Sequence, residues 1–92
     1  MYRPKDTQER ILHRFQISLG HLKKVISMVE GDEYCIDVIH QLQAVEMGLG
    51  KAEQLILKNH LENCVADSIS KGRKDEAIKE VMSVFEKKLV NH

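Results

Sequence analysis

Apolar side chains recur every three or four residues in the first third of the chain, which is the spacing of an amphipathic helix. The steps between them are 3, 4, 3, 4 and 3 residues, as in the seam of a helix packed on a partner helix. We predict a helix that starts after Pro4, is capped by Asp6 and stops at Gly31. The apolar positions are Leu12, Phe15, Leu19, Leu22, Ile26 and Val29.

The second segment keeps the same apolar spacing across two glycines, Gly48 and Gly50. A loop there would normally reset the phase, so we predict one long helix capped by Asp32; a break into two shorter helices is the alternative. Each glycine costs roughly 1 kcal/mol relative to alanine inside a helix, and its missing side chain permits another helix to approach closely. The apolar positions are Cys35, Val38, Leu42, Val45, Leu49, Ala52 and Ile56.

A polar stretch, residues 66–75, contains Gly72 and is predicted to be a hinge before a third amphipathic helix. The apolar side of that helix has Ile78, Val81, Phe85 and Leu89. The predicted fold class is therefore all-α: one domain over residues 1–92, a three-helix subunit with a long central helix. Only four aromatic residues occur among 92, so these helices would leave apolar surface uncovered, and a homodimer or homotetramer is expected.

The formal net charge is zero, but the charges are unevenly spread. Residues 1–31 have a balance of +3, residues 32–72 of −4 and residues 73–92 of +1, so a modest basic face is expected on the first helix. Repeated in an oligomer, such a face favours contact with nucleic acid. No apolar run is long enough to cross a bilayer and the polar start is not a secretory signal, so a cytoplasmic protein with reduced thiols is expected.

The candidate chemistry involves the two cysteines of the chain, Cys35 and Cys64. His60 stands four residues before Cys64, so on a helix both point from the same face, a common geometry for two ligands of one metal. A solvated histidine beside a buried cysteine is the alternative for this pair. Cys35 stands 25 residues before His60, roughly 37 Å along a continuous helix, so the three meet only if two copies of the helix pack antiparallel.

Two thiolates and one imidazole form a small, soft ligand set, which favours Cu(I), Zn(II) or an iron–sulfur cluster. A closed structural zinc site normally takes four protein ligands, whereas three suit Cu(I). Binding needs deprotonated thiols and a neutral imidazole, so the affinity is expected to depend on pH. No Ser/His/Asp arrangement, phosphate-binding loop or pair of acidic residues suggests an enzyme.

The stretch MVEGDEYCIDVIHQLQAV, followed downstream by KNHLENC, resembles the CsoR/RcnR/FrmR family of small bacterial metal- and stress-sensing repressors. The similarity runs from about Arg10 to Leu89. It implies an all-helical dimer, an antiparallel four-helix bundle, that pairs into a flat tetramer without a helix-turn-helix motif. It also implies that the metal-free protein binds operator DNA and is released by an inducer.

The resemblance assigns the metal site to particular residues. Cys35, His60 and Cys64 correspond to the three metal ligands of the copper sensors in this family. Tyr34 and Glu80 match positions around those ligands that are linked to coupling between metal and DNA. The resemblance therefore implies a metal site between two subunits, formed by the same three residues that could meet if two copies of the long helix pack antiparallel.

The resemblance also points to basic residues that would contact DNA. Arg14 and Lys51 match positions that relatives use for this purpose, and Lys23 is a further candidate for a phosphate contact. The family often has arginine where this chain has Ile17. The affinity for an operator, or the operator sequence, is therefore expected to differ from that of relatives.

Cu(I) is the expected inducer, because the residues fit the copper sensors best. The nickel and cobalt sensors have an N-terminal histidine where this chain has Arg3, and the formaldehyde sensors lack the third cysteine and have proline where this chain has Tyr2. The persulfide sensors have two cysteines without the histidine between them. Three alternatives stay open: Ni(II), Zn(II) or another family inducer; oxidation or persulfidation of Cys35 and Cys64 without a metal; and a metal-binding helical oligomer without DNA activity.

Overall fold

The computed structural model of the protein describes residues 4–90, without the side chains of residues 88–90. Tyr2, Arg3 and the side chain of Leu89 therefore lie outside the described part. Every regular element in the described part is helical, which confirms the all-α prediction. In chain order the elements are α1 (Lys5–Glu30), α2 (Cys35–Asn59), a π-helical turn (His60–Val65), α3 (Ala66–Ser70) and α4 (Lys74–Val90). They group into two compact units, with the boundary in sequence between residues 57 and 58; a single domain over residues 1–92 stays a prediction.

The first unit is an antiparallel helical hairpin of α1 and most of α2. His21 Nε2 donates a hydrogen bond to Gln41 Oε1 (2.8 Å), and a side chain added at Gly48 would come within 2.8 Å of Ser18 Oγ. Position 18 thus faces position 48 and position 21 faces position 41, so the two helices run in opposite directions. α2 is unbroken through Gly48 and Gly50, which confirms the prediction of one long helix and shows that a break at the glycines is wrong.

The core of the hairpin consists of small and medium side chains. On α2, Val45 is 2% exposed and Ala52 is fully buried. The apolar seam expected on α1 is not what packs within the chain, because its six members are 38–60% exposed. The buried line lies one position earlier around the helix. It consists of Ile11, Ser18, Val25 and Met28.

Ten exposed residues of the hairpin, apolar side chains and Cys35, lie together on one side, which we call the apolar face. On each helix, these residues are rotated about the helix axis from the buried line, in the same direction when viewed from the helix N-terminus. Because the two right-handed helices are antiparallel, these rotations bring both sets of residues to the same side of the hairpin. A face of this extent is typical of a surface that packs on another protein. It consists of the six predicted seam residues of α1, from Leu12 to Val29, and of Cys35, Ile39, Leu42 and Leu49 of α2.

α1 ends in a Schellman turn, in which two amides beyond the helix bond back to its last carbonyls. Glu33 N donates to Met28 O (3.0 Å) and Asp32 N donates to Val29 O (3.2 Å). The residue with the left-handed backbone is Asp32, at φ 53°, whereas Gly31 has φ −89°. Gly31 is therefore the last half-helical residue, and Asp32 has the backbone conformation that glycine usually supplies.

Two of the predicted helix caps are wrong. Asp32 does not cap α2, because its backbone closes the turn after α1; at the start of α2 the carbonyl of Tyr34 accepts from Val38 N (3.2 Å). Asp6 does not cap α1, which begins directly after Pro4 without a side-chain cap. Asp6 lies in the first turn instead, where a carboxylate still interacts favourably with the helix dipole.

The second unit contains the π-helical turn, α3 and α4, and α4 contacts both of the others. The predicted hinge over residues 66–75 is largely wrong, because residues 66–70 are helical. The chain breaks only after them, in a second Schellman turn. There Arg73 N donates to Ser68 O (2.8 Å), and Gly72 has a left-handed backbone at φ 78°.

α4 buries a line that differs from the predicted one. Ala77 is buried and Val81 and Val84 are half-buried, whereas Ile78 and Phe85 are 46% and 49% exposed. Of the three predicted apolar residues whose side chains are described, only Val81 therefore faces inward. Among residues 4–90, no helix is both long enough and apolar enough to cross a membrane.

Candidate metal centre

Cys35 is the first residue of α2, and its thiol is free and exposed. It lies at the end of the hairpin, on the apolar face. Tyr34, directly before it, is 67% exposed. Cys35 therefore presents a soft sulfur donor outward from the chain, where a metal or another molecule can reach it.

His60 and Cys64 both lie in the π-helical turn that follows α2. The backbone is right-handed helical on either side, at Asn59 (φ −59°, ψ −42°) and Ala66 (φ −57°, ψ −43°), so the turn is a widened segment within a longer helix. Both side chains are half-buried and the Cys64 thiol is free. π-helical turns within α-helices are rare and are frequently found at functional sites. The imidazole–thiol pair therefore stands where the backbone itself is unusual.

Glu80 of α4 is the charged neighbour of His60. His60 Nε2 and Glu80 Oε2 lie 3.9 Å apart, which is longer than a hydrogen bond, and the two side chains are 20% and 72% exposed. The carboxylate is therefore near Nε2 without a hydrogen bond to it, and Nδ1 is the other ring nitrogen. The residue that the resemblance placed near the ligands is thus beside His60 in this chain.

Two asparagines hold the same turn, and the sequence reasoning missed them. Asn63 Nδ2 donates to the backbone carbonyl of Asn59 (3.1 Å) and to Asn59 Oδ1 (2.9 Å). Asn59 is 5% exposed and Asn63 is half-buried, so the bonds join a buried residue to one at the edge of an open cleft. The only signal in the sequence is the spacing of the two amides, four residues apart in NHLEN.

The candidate donors fall into two groups within one chain. In the described residues, no three His, Cys, Asp or Glu side chains are placed to hold a metal together. α2 has 25 residues, which makes it about 37 Å long. Cys35 is its first residue and His60 follows its last, so one thiol is at the start of α2 and the imidazole–thiol pair is beyond its end.

The basic residues predicted to contact DNA are all exposed, but they do not share one side of the hairpin. Nine residues separate Arg14 from Lys23, which is two and a half helical turns, so the two point to opposite sides of α1. Lys24 falls on the side of Arg14, and Lys51 of α2 is on that side of the hairpin, away from the apolar face. We call this the basic side; it consists of Arg10, Arg14, Lys24 and Lys51.

Residues 7–87 match the sequence profile of a family described as metal-sensitive transcriptional repressor. The chain belongs to this family. The resemblance based on the two sequence motifs is thereby confirmed. Family members are transcriptional repressors, which agrees with the prediction that the protein is not an enzyme.

Two relatives show how far the similarity extends. The copper-sensing transcriptional repressor CsoR of Mycobacterium ulcerans is 40% identical over 77 residues, which are 84% of this chain and 66% of that protein. The copper-sensing transcriptional repressor CsoR of Bacillus subtilis is 31% identical over 86 residues, 94% of this chain and 85% of that protein. This chain therefore spans just under two thirds of the first relative and most of the second.

The fold is similar to that of a solved family member. The crystal structure of the copper-sensing repressor CsoR with Cu(I) from Geobacillus thermodenitrificans NG80-2 matches with a TM-score of 0.87 at 31% sequence identity. The match covers 95% of this chain and 91% of that one. The sequence profile and the fold therefore agree on the family.

Proposed function

We propose that the protein is a Cu(I)-responsive transcriptional repressor that binds operator DNA when metal-free and releases it when Cu(I) is bound. One observation supports this most: a member of the metal-sensitive repressor family, similar to proteins named as copper sensors, has free soft donors at the two ends of its central helix. Two thiolates and an imidazole suit soft Cu(I) better than hard divalent ions. A repressor acts on chromosomal DNA, so the bacterial cytoplasm is its proposed location.

Two copies of the chain would complete the metal site. Cys35 and His60 are 25 residues apart along the chain, so the two groups of donors stand before and after the length of α2. A second copy, packed antiparallel on the apolar face, would bring Cys35 of one copy to His60 and Cys64 of the other. The two-fold axis would then pass near Leu49, which is 43% exposed, and a dimer would have two equivalent sites.

The same packing would cover the apolar face. Its ten exposed positions on α1 and α2 would become the core of a four-helix bundle, which accounts for why the seam predicted on α1 is not buried within one chain. A small domain with so much exposed apolar surface gains stability from such an assembly. Pairing of two such dimers into a homotetramer is part of the same proposal.

The residues fit a site of low coordination number. Cys35 and Cys64 would supply thiolates and His60 would supply Nδ1, while Glu80 faces the other ring nitrogen, Nε2. When bound, Cu(I) would join the two chains through soft sulfur and nitrogen ligands. Tyr34 directly precedes Cys35, so it would lie beside the completed site. Since the thiols lose protons on binding, the affinity for Cu(I) is expected to fall as the pH is lowered.

The proposed DNA surface is the basic side of the hairpin. Lys and Arg contacts with phosphates supply affinity without a recognition helix in the groove. Ile17, 56% exposed, lies in the middle of this side, at a position where the family often has arginine. The affinity would therefore depend on the four cations that remain. By linkage, Cu(I) weakens DNA binding by the same factor by which DNA weakens Cu(I) binding.

The test is a titration of a fluorescent DNA fragment from upstream of the protein's own gene, with metal-free and with Cu(I)-loaded protein. Cu(I) should weaken binding by about 5–150-fold, the usual range of an allosteric coupling. Cys35→Ala should bind DNA normally and lose the response to Cu(I), whereas His40→Ala, an exposed histidine elsewhere on α2, should keep it. Equal affinities in both metal states would end the proposal. An oxidant-driven disulfide between subunits, without copper uptake, would support a thiol sensor instead.

Arg14→Ala and Lys23→Ala form a matched pair that tests the basic side. Loss of one phosphate contact should weaken DNA binding and reduce the slope of log affinity against log salt concentration by about 1. We expect this of Arg14→Ala and not of Lys23→Ala, because the two side chains point to opposite sides of α1. Equal losses for both variants would mean that the DNA surface lies elsewhere.

A further inference from the structure

The hydrogen-bond pattern changes at the residue just before the candidate ligands. In an α-helix each carbonyl accepts from the amide four residues on, and in a π-helical turn it accepts from the amide five residues on. Asn59 ends α2 and directly precedes the π-helical turn, so its carbonyl lies at this change. The backbone amide of Asn63, its partner in an α-helix, is the one that the π-helical pattern replaces.

The side chain of Asn63 also donates to that carbonyl. Its Nδ2 lies 3.1 Å from Asn59 O and 2.9 Å from Asn59 Oδ1, so each of its two hydrogens has an acceptor. A backbone carbonyl can only accept, which fixes the orientation of the Asn63 amide. Since Asn59 is 5% exposed, its two acceptor oxygens are largely shielded from water, and removing this donor costs free energy at both of them.

We infer that Asn63 is a positioning residue for the metal site: its two hydrogen bonds to Asn59 hold the π-helical turn and thereby set His60 relative to Cys64. Asn63 stands three residues after His60 and directly before Cys64, and it lines one open cleft together with Cys64. A change in this turn therefore moves both donors. The consequence for metal binding rests on the proposed copper site, whereas the hydrogen bonds belong to the metal-free chain.

Three variants separate the hydrogen bonds from size and charge. Asn63→Asp keeps the shape of the side chain, but its carboxylate cannot donate and would face two acceptor oxygens. Asn63→Gln restores an amide on a longer side chain. Glu62→Gln is the matched control, because it removes a charge in the same turn from a side chain that is 60% exposed and lies near Lys58.

Two measurements on the full chain test the inference. NMR chemical shifts and hydrogen exchange of the amides of residues 60–65 report on the turn in the metal-free protein, and competition with a chromophoric chelator reports the affinity for Cu(I). Asn63→Asp should accelerate exchange in this turn and lower the Cu(I) affinity about 10–100-fold, the usual loss when a residue that orients metal ligands is changed. Asn63→Gln should recover part of the affinity, and Glu62→Gln should change neither quantity.

Thermal unfolding of the same variants identifies a purely structural role. If Asn63→Asp lowers the unfolding temperature but binds Cu(I) like the wild type, the inference is overturned. Unchanged amide shifts in residues 60–65 would overturn it as well. Wild-type protein that takes up no Cu(I) would refute the proposed function itself, so the wild-type titration distinguishes the two failures.

Discussion

The packing inside each of the two units is of a different kind. In the hairpin, regular α-helices meet through small buried side chains, and Gly48 allows their close approach at Ser18. In the second unit, polar contacts around Asn59 and His60 hold an irregular turn. The regular unit presents broad surfaces, one apolar and one basic. The irregular unit fixes the positions of two donor atoms.

This difference assigns each unit one part of the proposed copper site. Cys35 stands at an ordinary helix start and needs only a copy of the chain to meet its counterpart. His60 and Cys64 must be oriented relative to each other, and the contacts that do so lie within their own unit. The predictions below test this division, beginning with the largest expected effect.

Removing either thiol by mutation should have the largest effect on the affinity for Cu(I). Cys35→Ala alone and Cys64→Ala alone should each lower the Cu(I) affinity by more than about 100-fold, because a direct ligand matters more than the residues that orient it. Refolding the two variants together should restore some tight sites, since a mixed dimer joins the intact Cys35 of one copy to the intact pair of the other. A stoichiometric Cu(I) titration measures the recovery. No recovery in the mixture would mean that the donors do not meet between copies.

Neutralising the neighbour of His60 should have a smaller effect on the same site. Glu80→Gln removes the negative charge beside Nε2 of His60, so the Cu(I) affinity should fall about 10-fold. Glu76→Gln makes the same change one turn earlier on α4 and should leave the affinity unaltered. The chelator competition measures both. An equal loss for the two variants would show that net charge, rather than the position of Glu80, is responsible.

In the hairpin, two glycines of the same helix should respond in opposite directions. A methyl group at Gly48 would meet Ser18 Oγ at 2.8 Å, whereas at Gly50 it would meet nothing within 4 Å. Gly50→Ala should raise the free energy of unfolding by about 0.5–1 kcal/mol through helix propensity. Gly48→Ala should lower it by about 1 kcal/mol, because crowding at a buried contact exceeds that gain. Urea unfolding measures both, and equal shifts would argue against close packing at Gly48.

Effects no larger than these are expected at the two Schellman turns, one in each unit. Both place a residue in the left-handed region: Asp32 after α1 and Gly72 after α3. Asp32→Gly should stabilise by a few tenths of a kcal/mol, since relief of backbone strain is partly offset by greater freedom of the unfolded chain. Gly72→Ala should destabilise by about 1 kcal/mol. Thermal unfolding in metal-free buffer tests both, and stabilisation by Gly72→Ala would contradict the assignment of its backbone.

Helical spacing predicted the existence of the long helices and the continuity of α2, because a loop at the two glycines would normally have reset the phase of the apolar positions. It could not predict which line of α1 is buried within the chain. Two adjacent lines of apolar residues run along α1, one through Ile11 and Val25 and one through Leu12 and Ile26. Which line is buried depends on how α2 packs against α1, and the sequence of α1 alone does not contain that information. The caps failed for a related reason. Aspartate is a favourable N-cap residue, but the left-handed backbone of Asp32 forms the turn after α1, so Asp32 does not stand at the N-cap of α2.

The residues of the candidate site and their order along the chain could be named from the sequence, and their role as one metal site stays a prediction. The proximity of Glu80 to His60 followed only from the resemblance to a family. The π-helical turn was not predictable, since residues four apart lie on nearly the same face in either kind of helix. Asn63 was missed because it is a polar residue in a polar stretch, and the spacing of apolar residues gives no information about its hydrogen bonds.

The π-helical residues have one more consequence, which concerns insertions and deletions among homologues. A π-helical turn contains more residues per revolution than an α-helix, so register counted along α2 does not continue into α3. A homologue with one residue fewer between positions 60 and 65 would form an uninterrupted α-helix with nearly the same downstream direction, because six π-helical residues turn through about the same angle as five α-helical ones. A single-residue gap at this place would thus preserve the course of the following helices and remove the widened turn that contains His60 and Cys64.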